Sequence, residues 1–369
     1  MSQSAADQQL ACFPDAGFSA WLAQSGGSLA VSTYQAGKLL VIGWNGQQVS
    51  LLPRHFDKPM GLDVRGDRMA LATKNSVTLL RDDAVLGHHF AHDQPGRYDA
   101  LYLPRMSYHT NDLNVHDVAL ADDDLWIVNT RFSCLAGLDE KHNFYPRWKP
   151  PFISEIVPED RCHLNGLALV DGAPAYVTAL GECDVVGGWR DNKASGGVVI
   201  DMRTNDIVLR GLAMPHSPRW YGGTLYVLNS GAGQLLKVDA QAGRSEVVCE
   251  LPAYLRGLTF AGPYALVGLC KIRETNIFGG MPVQQRVEEL QCGIAVIDLR
   301  SGKQAGLFSI TAGCTEIYDL RFLPGKQRVN VLNLEREETR QAFTAPDMHY
   351  WLRPENEVPD RSQKAGSRR

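Results

Sequence analysis

A chain of 369 residues, 44% hydrophobic and 21% charged, has the composition of a globular protein with a sizeable core. Its 37 basic and 41 acidic residues give a formal charge of -4, which offers no general attraction to nucleic acid or to an anionic membrane. No apolar run reaches the roughly 18 residues of a membrane-crossing helix, so neither nucleic acid nor membrane is expected as a partner.

The start, "MSQSAADQQLACFPDAGF", lacks a basic n-region and an apolar h-region. Leu10-Ala11-Cys12 has no hydrophobic lead that would make it a lipoprotein box. A cytoplasmic location is therefore expected, with the eight cysteines as reduced thiols. They form no CxxC pair, which argues against a dedicated thiolate zinc site. "GFSAWLAQSG", from Gly17, is the one short helix the pattern suggests.

From Pro59 onward one pattern recurs six times: a short apolar stretch, a tight polar or glycine turn, and a second apolar run. The copies are "PMGLDVRGDRMALATK" (Pro59), "VHDVALADDDLWIVNT" (Val115), "LNGLALVDGAPAYVTA" (Leu164), "PHSPRWYGGTLYVLNS" (Pro215), "LRGLTFAGPYALVGLC" (Leu255) and "IYDLRFLPGKQRVNVLN" (Ile317). Their starts lie roughly 40 to 60 residues apart, the length of a four-stranded propeller blade with variable loops. Third and fourth strands follow in "GGVVIDMRTNDIVLRGL" (Gly196), "GQLLKVDAQAGRSEVVCEL" (Gly233) and "GIAVIDLRSGKQAGLFSI" (Gly293), and more loosely in "LAGLDEKHNFYPRWKP" (Leu135). The N-terminal "SLAVSTYQAGKLLVIGWNGQQVSLL" supplies strands without a first strand, and the copy at Ile317–Asn333 supplies inner strands without outer ones. Joining them closes a ring and removes exposed sheet edges.

The expected fold is all-β: a β-propeller of six four-stranded blades, seven if the N-terminal part holds one strand more. Residues 1–27 form an N-terminal extension, 28–334 the propeller, and 335–369 a strap ending in a disordered basic tail.

In a blade, the turns joining strands one to two and three to four open on one face. The loops joining strands two to three, and each blade to the next, open on the other. The first set is short: "VRGDR", "ADDD", "VDGA", "YGG" and "RTND". The long insertions are all expected in the second set, with His92–Asn114 and Pro150–His163 joining blades, and Gly181–Ser195 and Lys271–Gln291 within them. Loops grown on one side of a rigid scaffold commonly carry binding or catalysis.

First strands begin at that face. Aligning the copies at His116 gives Met60, His116, Asn165, His216, Arg256 and Tyr318; two residues earlier stand Lys58, Asn114, His163, Met214, Tyr254 and Glu316. Period-two alternation points both positions to the channel mouth. His116, His163 and His216 there suggest a divalent transition metal (Zn, Fe or Cu), with Glu316 as fourth ligand or general base and Tyr318 beside it. Arg256, Asn165, Asn114 and Lys58 are candidate contacts to a substrate, and Arg219 could also hold a carboxylate or phosphate. Asp63, Asp117 and Asp319 are in the alternate phase, suited to blade packing. Cys162 precedes His163, so alternation sends its thiol away from the imidazole. "GAGQ" (Gly231–Gln234) is a hairpin turn with no helix after it, so no nucleotide cofactor is expected.

"SLAVSTYQAGKLL", "PMGLDV", "VHDVAL…LWIVNT", "HLNGLALVDG" and "MPHSPRW" together resemble a bacterial propeller family of conserved proteins of unknown function, from about Ser28 to Asn333. The resemblance implies the fold and carries no reaction. The plan is also similar to six-bladed lactonases and strictosidine-synthase-like proteins, which place a metal or ligand site at the channel mouth. Those lactonases hold calcium with Glu, Asn and Asp, and the histidines here depart from that set. The functional expectation is a metal-dependent enzyme acting on a small molecule or peptide. The alternative is a non-catalytic propeller that binds a protein or peptide partner through its long loops.

Overall fold

The short apolar runs become strands of six mainly antiparallel sheets arranged as propeller blades, in a computed structural model that describes residues 9–122, 124–271 and 279–352. The chain enters through β1 (Ala11–Pro14) and α1 (Ala16–Ser25). Asp15 caps α1 by accepting from the Phe18 N–H at 2.6 Å, and Gly26, at φ 66°, ends it. Phe18 and Leu22 are fully buried at the seam between the last blade and the first.

Blade one takes β2 (Gly27–Ser32), β3 (Lys38–Trp44) and β4 (Val49–His55). Blade two holds β5 (Leu62–Arg65), β6 (Arg68–Ala72), β7 (Ser76–Asp82), α2 (Ala84–His88) and β8 (Ala100–His109). Blade three comprises β9 (Val115–Ala121), β10 (Asp124–Asn129), β11 (Cys134–Gly137) and β12 (Tyr145–Trp148). Blade four comprises β13 (Leu164–Val170), β14 (Ala173–Ala179), β15 (Gly197–Asp201) and β16 (Asp206–Leu212). In blade five come β17 (Pro215–Tyr221), β18 (Thr224–Asn229), β19 (Gln234–Asp239) and β20 (Arg244–Glu250). Blade six has β21 (Tyr254–Ala261), β22 (Tyr264–Cys270), α3 (Pro282–Arg286), β23 (Gly293–Asp298) and β24 (Lys303–Ala312), with β1 added outside β24. Last come β25 (Asp319–Pro324), β26 (Val329–Val331), α4 (Glu337–Gln341) and the hairpin β27 (Ala342–Ala345) and β28 (Met348–Trp351).

Both termini close the ring, with a division of strands that differs from the sequence reading. Blade one runs β25-β2-β3-β4, so the C-terminal copy gives it a single strand. The second position is already filled by β2, which pairs with β25 from Gly27↔Pro324 to Ser32↔Asp319. The chain therefore leaves the blade. The Asp99 carboxylate accepts from the Gln327 and Arg328 N–H groups, and β26 runs parallel to β8 on the outside of blade two.

The long insertions also divide differently. Among the described residues, 149–163, 180–196 and 279–292 do lie on the face where first strands begin, here called the upper face, and part of the Lys271–Gln291 insertion lies outside the described residues. Residues 110–114 alone join blades two and three, because Ala100–His109 is the fourth strand of blade two. Its polar outer half and Pro104, at an irregularity in the β7–β8 register, hide that strand in the sequence. The insertion 83–99 thus connects β7 to β8 and opens on the lower face, taking His88, His89 and His92 with it.

Immediately after the aligned first-strand position, the six blades carry Gly61, Asp117, Gly166, Ser217, Gly257 and Asp319. Glycine alternates with a short acceptor around the whole ring. A Cβ at Gly61 would lie 2.7 Å from Asp117 Cα, at Gly166 2.3 Å from Pro218 Cδ, and at Gly257 3.0 Å from Asp319 Cα. Each acceptor reaches the other way. Asp319 accepts from Leu62 N at 3.3 Å, Asp117 from Leu167 N at 3.1 Å, and Ser217 from Gly257 N at 3.0 Å. Neighbouring inner strands are thus locked pairwise, and the alternation makes a collar.

Inside it the channel is bridged by charge. Arg219 pairs with Asp117 at 2.9 Å and Asp319 at 3.3 Å, while Arg321 pairs with Asp319 at 2.7 Å and Asp63 at 2.9 Å. Asp117 and Asp319 are each 3% exposed. Arg219 is therefore committed to the collar, contrary to its reading as a ligand anchor.

Two outcomes follow. Gly61→Ala should lower stability by about 1–3 kcal/mol, as overpacking against backbone does, read from chemical denaturation. Arg219→Leu should cost more, about 3–5 kcal/mol, because two buried carboxylates lose a countercharge.

Candidate functional site

Four of the six blades enter their first strand through a residue in the left-handed region: Lys58 (φ 47°), Asn114 (φ 54°), His163 (φ 52°) and Met214 (φ 48°). These residues are turns rather than strand, so simple alternation does not set their direction. In two blades the turn aims its own carbonyl at the imidazole two residues on. His116 Nδ1 lies 3.1 Å from Asn114 O, and His216 Nδ1 lies 2.9 Å from Met214 O.

Those acceptors fix the protons. A carbonyl can only accept, so His116 and His216 each carry hydrogen on Nδ1. Thr130 Oγ1, 2.7 Å from His116 Nδ1, donates its own hydrogen to Leu164 O at 2.6 Å and is thereby a second acceptor. His163 Nδ1 lies 2.9 Å from both carboxylate oxygens of Asp160, which also accepts from Trp189 Nε1 at 3.2 Å. All three imidazoles therefore hold their Nδ1–H against an acceptor, leaving Nε2 as the lone-pair nitrogen in the neutral ring.

His116 Nε2 and His163 Nε2 face each other at 3.2 Å. Two lone pairs at that distance repel unless a cation stands between them or one ring is protonated. Burial first, and then the charges of His163, Arg256 and His216, hold the His116 pKa well below the usual imidazole value of 6.5. His216 is depressed in the same direction, by burial and then by Arg256. His116 is 8% exposed and His216 4%. Trp189, from the 180–196 insertion, packs its ring 4.4 Å from that of His163 and covers it from above.

The other candidates divide. Glu316 pairs with Arg256 at 3.3 Å, and the Arg256 guanidinium lies 3.8 Å above the Tyr318 ring. The Tyr318 ring is in turn 5.5 Å from that of His116, so Tyr318 and Arg256 do belong to the mouth. His216 stands apart from the other two histidines, two blades from His116, with Ser230 Oγ at 3.1 Å and Tyr254 Oη at 3.4 Å from its Nδ1. Among the described residues no three His, Cys, Asp or Glu side chains stand close enough to hold one ion. His116, His163, His216 and Glu316, expected as one ligand set, are not brought together; of the three histidines His116 and His163 meet.

Asn165 donates to Pro215 O at 2.9 Å and accepts from Thr178 at 2.7 Å, which ties blades four and five together instead of facing a ligand. Asn114 acts through its carbonyl. Lys58 is exposed, its Nζ 5.7 Å from the Tyr34 ring. Burial pushes the Cys162 thiol up to about 12, which suits a packed cysteine, and all eight cysteines are free. Sequence reasoning missed Asp160, Thr130 and Trp189. "EDRCH" does place a carboxylate three residues before His163, but Thr130 and Trp189 belong to loops whose positions no period sets.

A family model for a domain of unknown function, DUF4915, matches residues 16–332. The chain belongs to the DUF4915 family. The matched span ends at Leu332, directly after β26, so the family's domain is the closed ring without the terminal hairpin. No curated protein matches the sequence. Among solved structures, a chain from a crystal structure of a nidogen/laminin complex is similar in fold alone, with a TM-score of 0.51 at 12% identity over 81% of this chain and 99% of that one. No helix among the described residues of this DUF4915 protein is long and apolar enough to cross a membrane.

The depressed histidines make a pH prediction. Both bind a proton more weakly in the folded chain than in the unfolded one, so stability is full above pH 6.5 and falls as pH drops below it. Each costs up to about 1.4 kcal/mol per pH unit in that window. The melting temperature should therefore fall between pH 7 and 5.5, and His216→Gln should flatten that slope.

Proposed function

We propose that this DUF4915 protein is a metal-dependent enzyme that acts on a small polar molecule at the upper mouth of its channel. His116 and His163 would supply the protein ligands to a divalent transition metal. The observation that carries this is the 3.2 Å separation of two lone-pair nitrogens whose other ring nitrogens are already committed. Two imidazoles on one tetrahedral ion, each with a metal–nitrogen bond of about 2.0–2.1 Å, stand roughly 3.3 Å apart. Holding Nδ1–H against a carbonyl or a carboxylate is what orients ligating imidazoles and raises their basicity. A shared proton is the competing occupant, and burial, which depresses the His116 pKa, disfavours its residing on that ring.

With two protein ligands, the remaining positions would fall to water and substrate, one more open position than three-ligand catalytic zinc sites keep. Arg256 and Tyr318 lie on the same side to orient a polar group. Trp189 packs on the His163 ring and His116, Arg256 and Tyr318 are buried, which favours a small molecule over a folded partner. The three long insertions on the upper face favour a second reading, recognition of a peptide or protein. That reading requires no metal.

Elemental analysis of protein freed of any affinity tag decides between them. About one Zn, Fe or Cu per chain is expected after loading. His116→Ala and His163→Ala should each weaken binding at least tenfold and abolish the rise in melting temperature that metal produces. His216→Ala should retain the metal. No binding of any of the three metals by the folded wild-type chain would sink the proposal. Catalysis is a separate arm: the loaded protein should turn over members of a small-molecule hydrolase and oxidoreductase substrate panel, and stripping the metal should abolish that turnover.

A further inference from the structure

The terminal hairpin has two unlike faces. β27 and β28 pair Phe343↔Tyr350 and Ala345↔Met348, and the ladder extends to Leu352 N donating to Gln341 O at 2.8 Å. Alternation puts Gln341, Phe343, Ala345, Met348, Tyr350 and Leu352 on one face and Ala342, Thr344, His349 and Trp351 on the other.

The second face is docked on blade two. Trp351 Nε1 donates to Leu86 O at 3.2 Å, His349 Nδ1 lies 2.7 Å from Asp83, and Arg105 donates to Thr344 at 2.9 Å. The first face turns outward and contains no charged residue. Phe343 is 50% exposed, Met348 47%, Tyr350 53% and Leu352 59%. A half-buried hairpin ordinarily turns polar side chains to water, and this one turns large apolar ones.

From that inverted pattern we infer that the outward face of the hairpin is a self-association surface, covered by the same face of a second copy of this chain. The chain's terminal segments are poor covers. Residues 353–369, "RPENEVPDRSQKAGSRR", offer Val358 as their one branched aliphatic side chain among eight charged residues. Residues 1–8 contain Met1 and two alanines. An uncharged apolar face is complementary to itself across a two-fold axis, and isologous dimers are the commonest assemblies.

The area is consistent with that symmetry. Four large side chains exposed by about half present on the order of 400 Å², about half of the roughly 800 Å² per partner that a stable interface buries. The outer edges of the hairpin, unpaired among the described residues, are open to strand pairing with the same edge of the second copy.

Sedimentation equilibrium of the full chain at low micromolar concentration tests this directly. Wild type should have twice the chain mass, and Phe343→Asp/Tyr350→Asp should have the chain mass with an unchanged far-ultraviolet spectrum and melting cooperativity. A monomeric wild type, or a folded double variant that remains dimeric, overturns the inference. Flotation with neutral phosphatidylcholine vesicles is the companion measurement. A wild type that is monomeric in solution and floats with vesicles assigns the face to lipid and likewise overturns it. Neither result bears on the histidine pair, whose metal content is read separately.

Discussion

The structure depends on one constraint: six inner strands must approach closely enough to close a ring while keeping their backbone polar groups paired. A sheet curled into blades leaves the central strands converging, and every side chain at the point of convergence competes for the same space. Here the conflict is resolved by division of labour. Gly61, Gly166 and Gly257 give up the space, and Asp117, Ser217 and Asp319 use it to accept from the N–H groups those close approaches would otherwise leave unpaired. Carboxylates so placed are then buried, and burial of charge is costly unless countered. Arg219 and Arg321, two residues further along their strands, supply the countercharge. Collar and ion network are thus successive consequences of closing the ring.

The same geometry explains why chemistry collects one layer higher. Above the collar the first strands begin, and the histidines there take their Nδ1 partners largely from turns and loop side chains. Left-handed turns at Asn114 and Met214 direct carbonyls at His116 and His216. Each ring is oriented from behind by backbone it cannot outcompete, so rotation of the imidazole costs a hydrogen bond in a buried setting. His163 is oriented instead by Asp160, from the connection between blades three and four. The two rings that meet therefore come with their lone pairs already aimed, and the convergence at 3.2 Å is preorganised by separate local devices in adjacent blades.

Much of the fold was legible because it rests on repetition. Alternating apolar runs, turn residues and the spacing of the copies specify blades, and the unmatched ends at Ser28 and Ile317 specify closure. What failed was local. β8 is hidden in the sequence because Pro104, Arg105, Ser107 and His109 break its apolar alternation, and an outer strand needs no second buried face. The strand count at the C-terminal end failed because β2 already occupies the slot that Val329–Val331 would fill. Aligning the copies does place His116, His163, Arg256, Glu316 and Tyr318 together at one end of the channel, since a repeat carries position with it. It does not show that the Asn165 amide is bonded between blades or that Lys58 stands in solvent. Which candidates actually meet depends on side-chain partners such as Thr130 and Asp160, and no period encodes those.

The terminal hairpin stands outside this logic. The ring is complete at β25, and β26 already shields part of the outer strand of blade two. Closure therefore needs nothing from Ala342–Trp351, and a segment that only protected blade two would be free to carry polar residues outward. The inner residues of the hairpin do suit such protection: Trp351 and His349 are hydrogen-bonded to the loop that carries α2. Its outer residues do not, and leaving Phe343, Met348 and Tyr350 in water forgoes roughly 25 cal/mol for each Å² of apolar surface that could be buried. An exposed face of this kind is costly in solubility as well as in stability, so its position matters. It lies on the flank of blade two, away from the upper mouth where the histidines converge. Association there would leave the mouth open, which allows the two surfaces to act independently on one rigid ring.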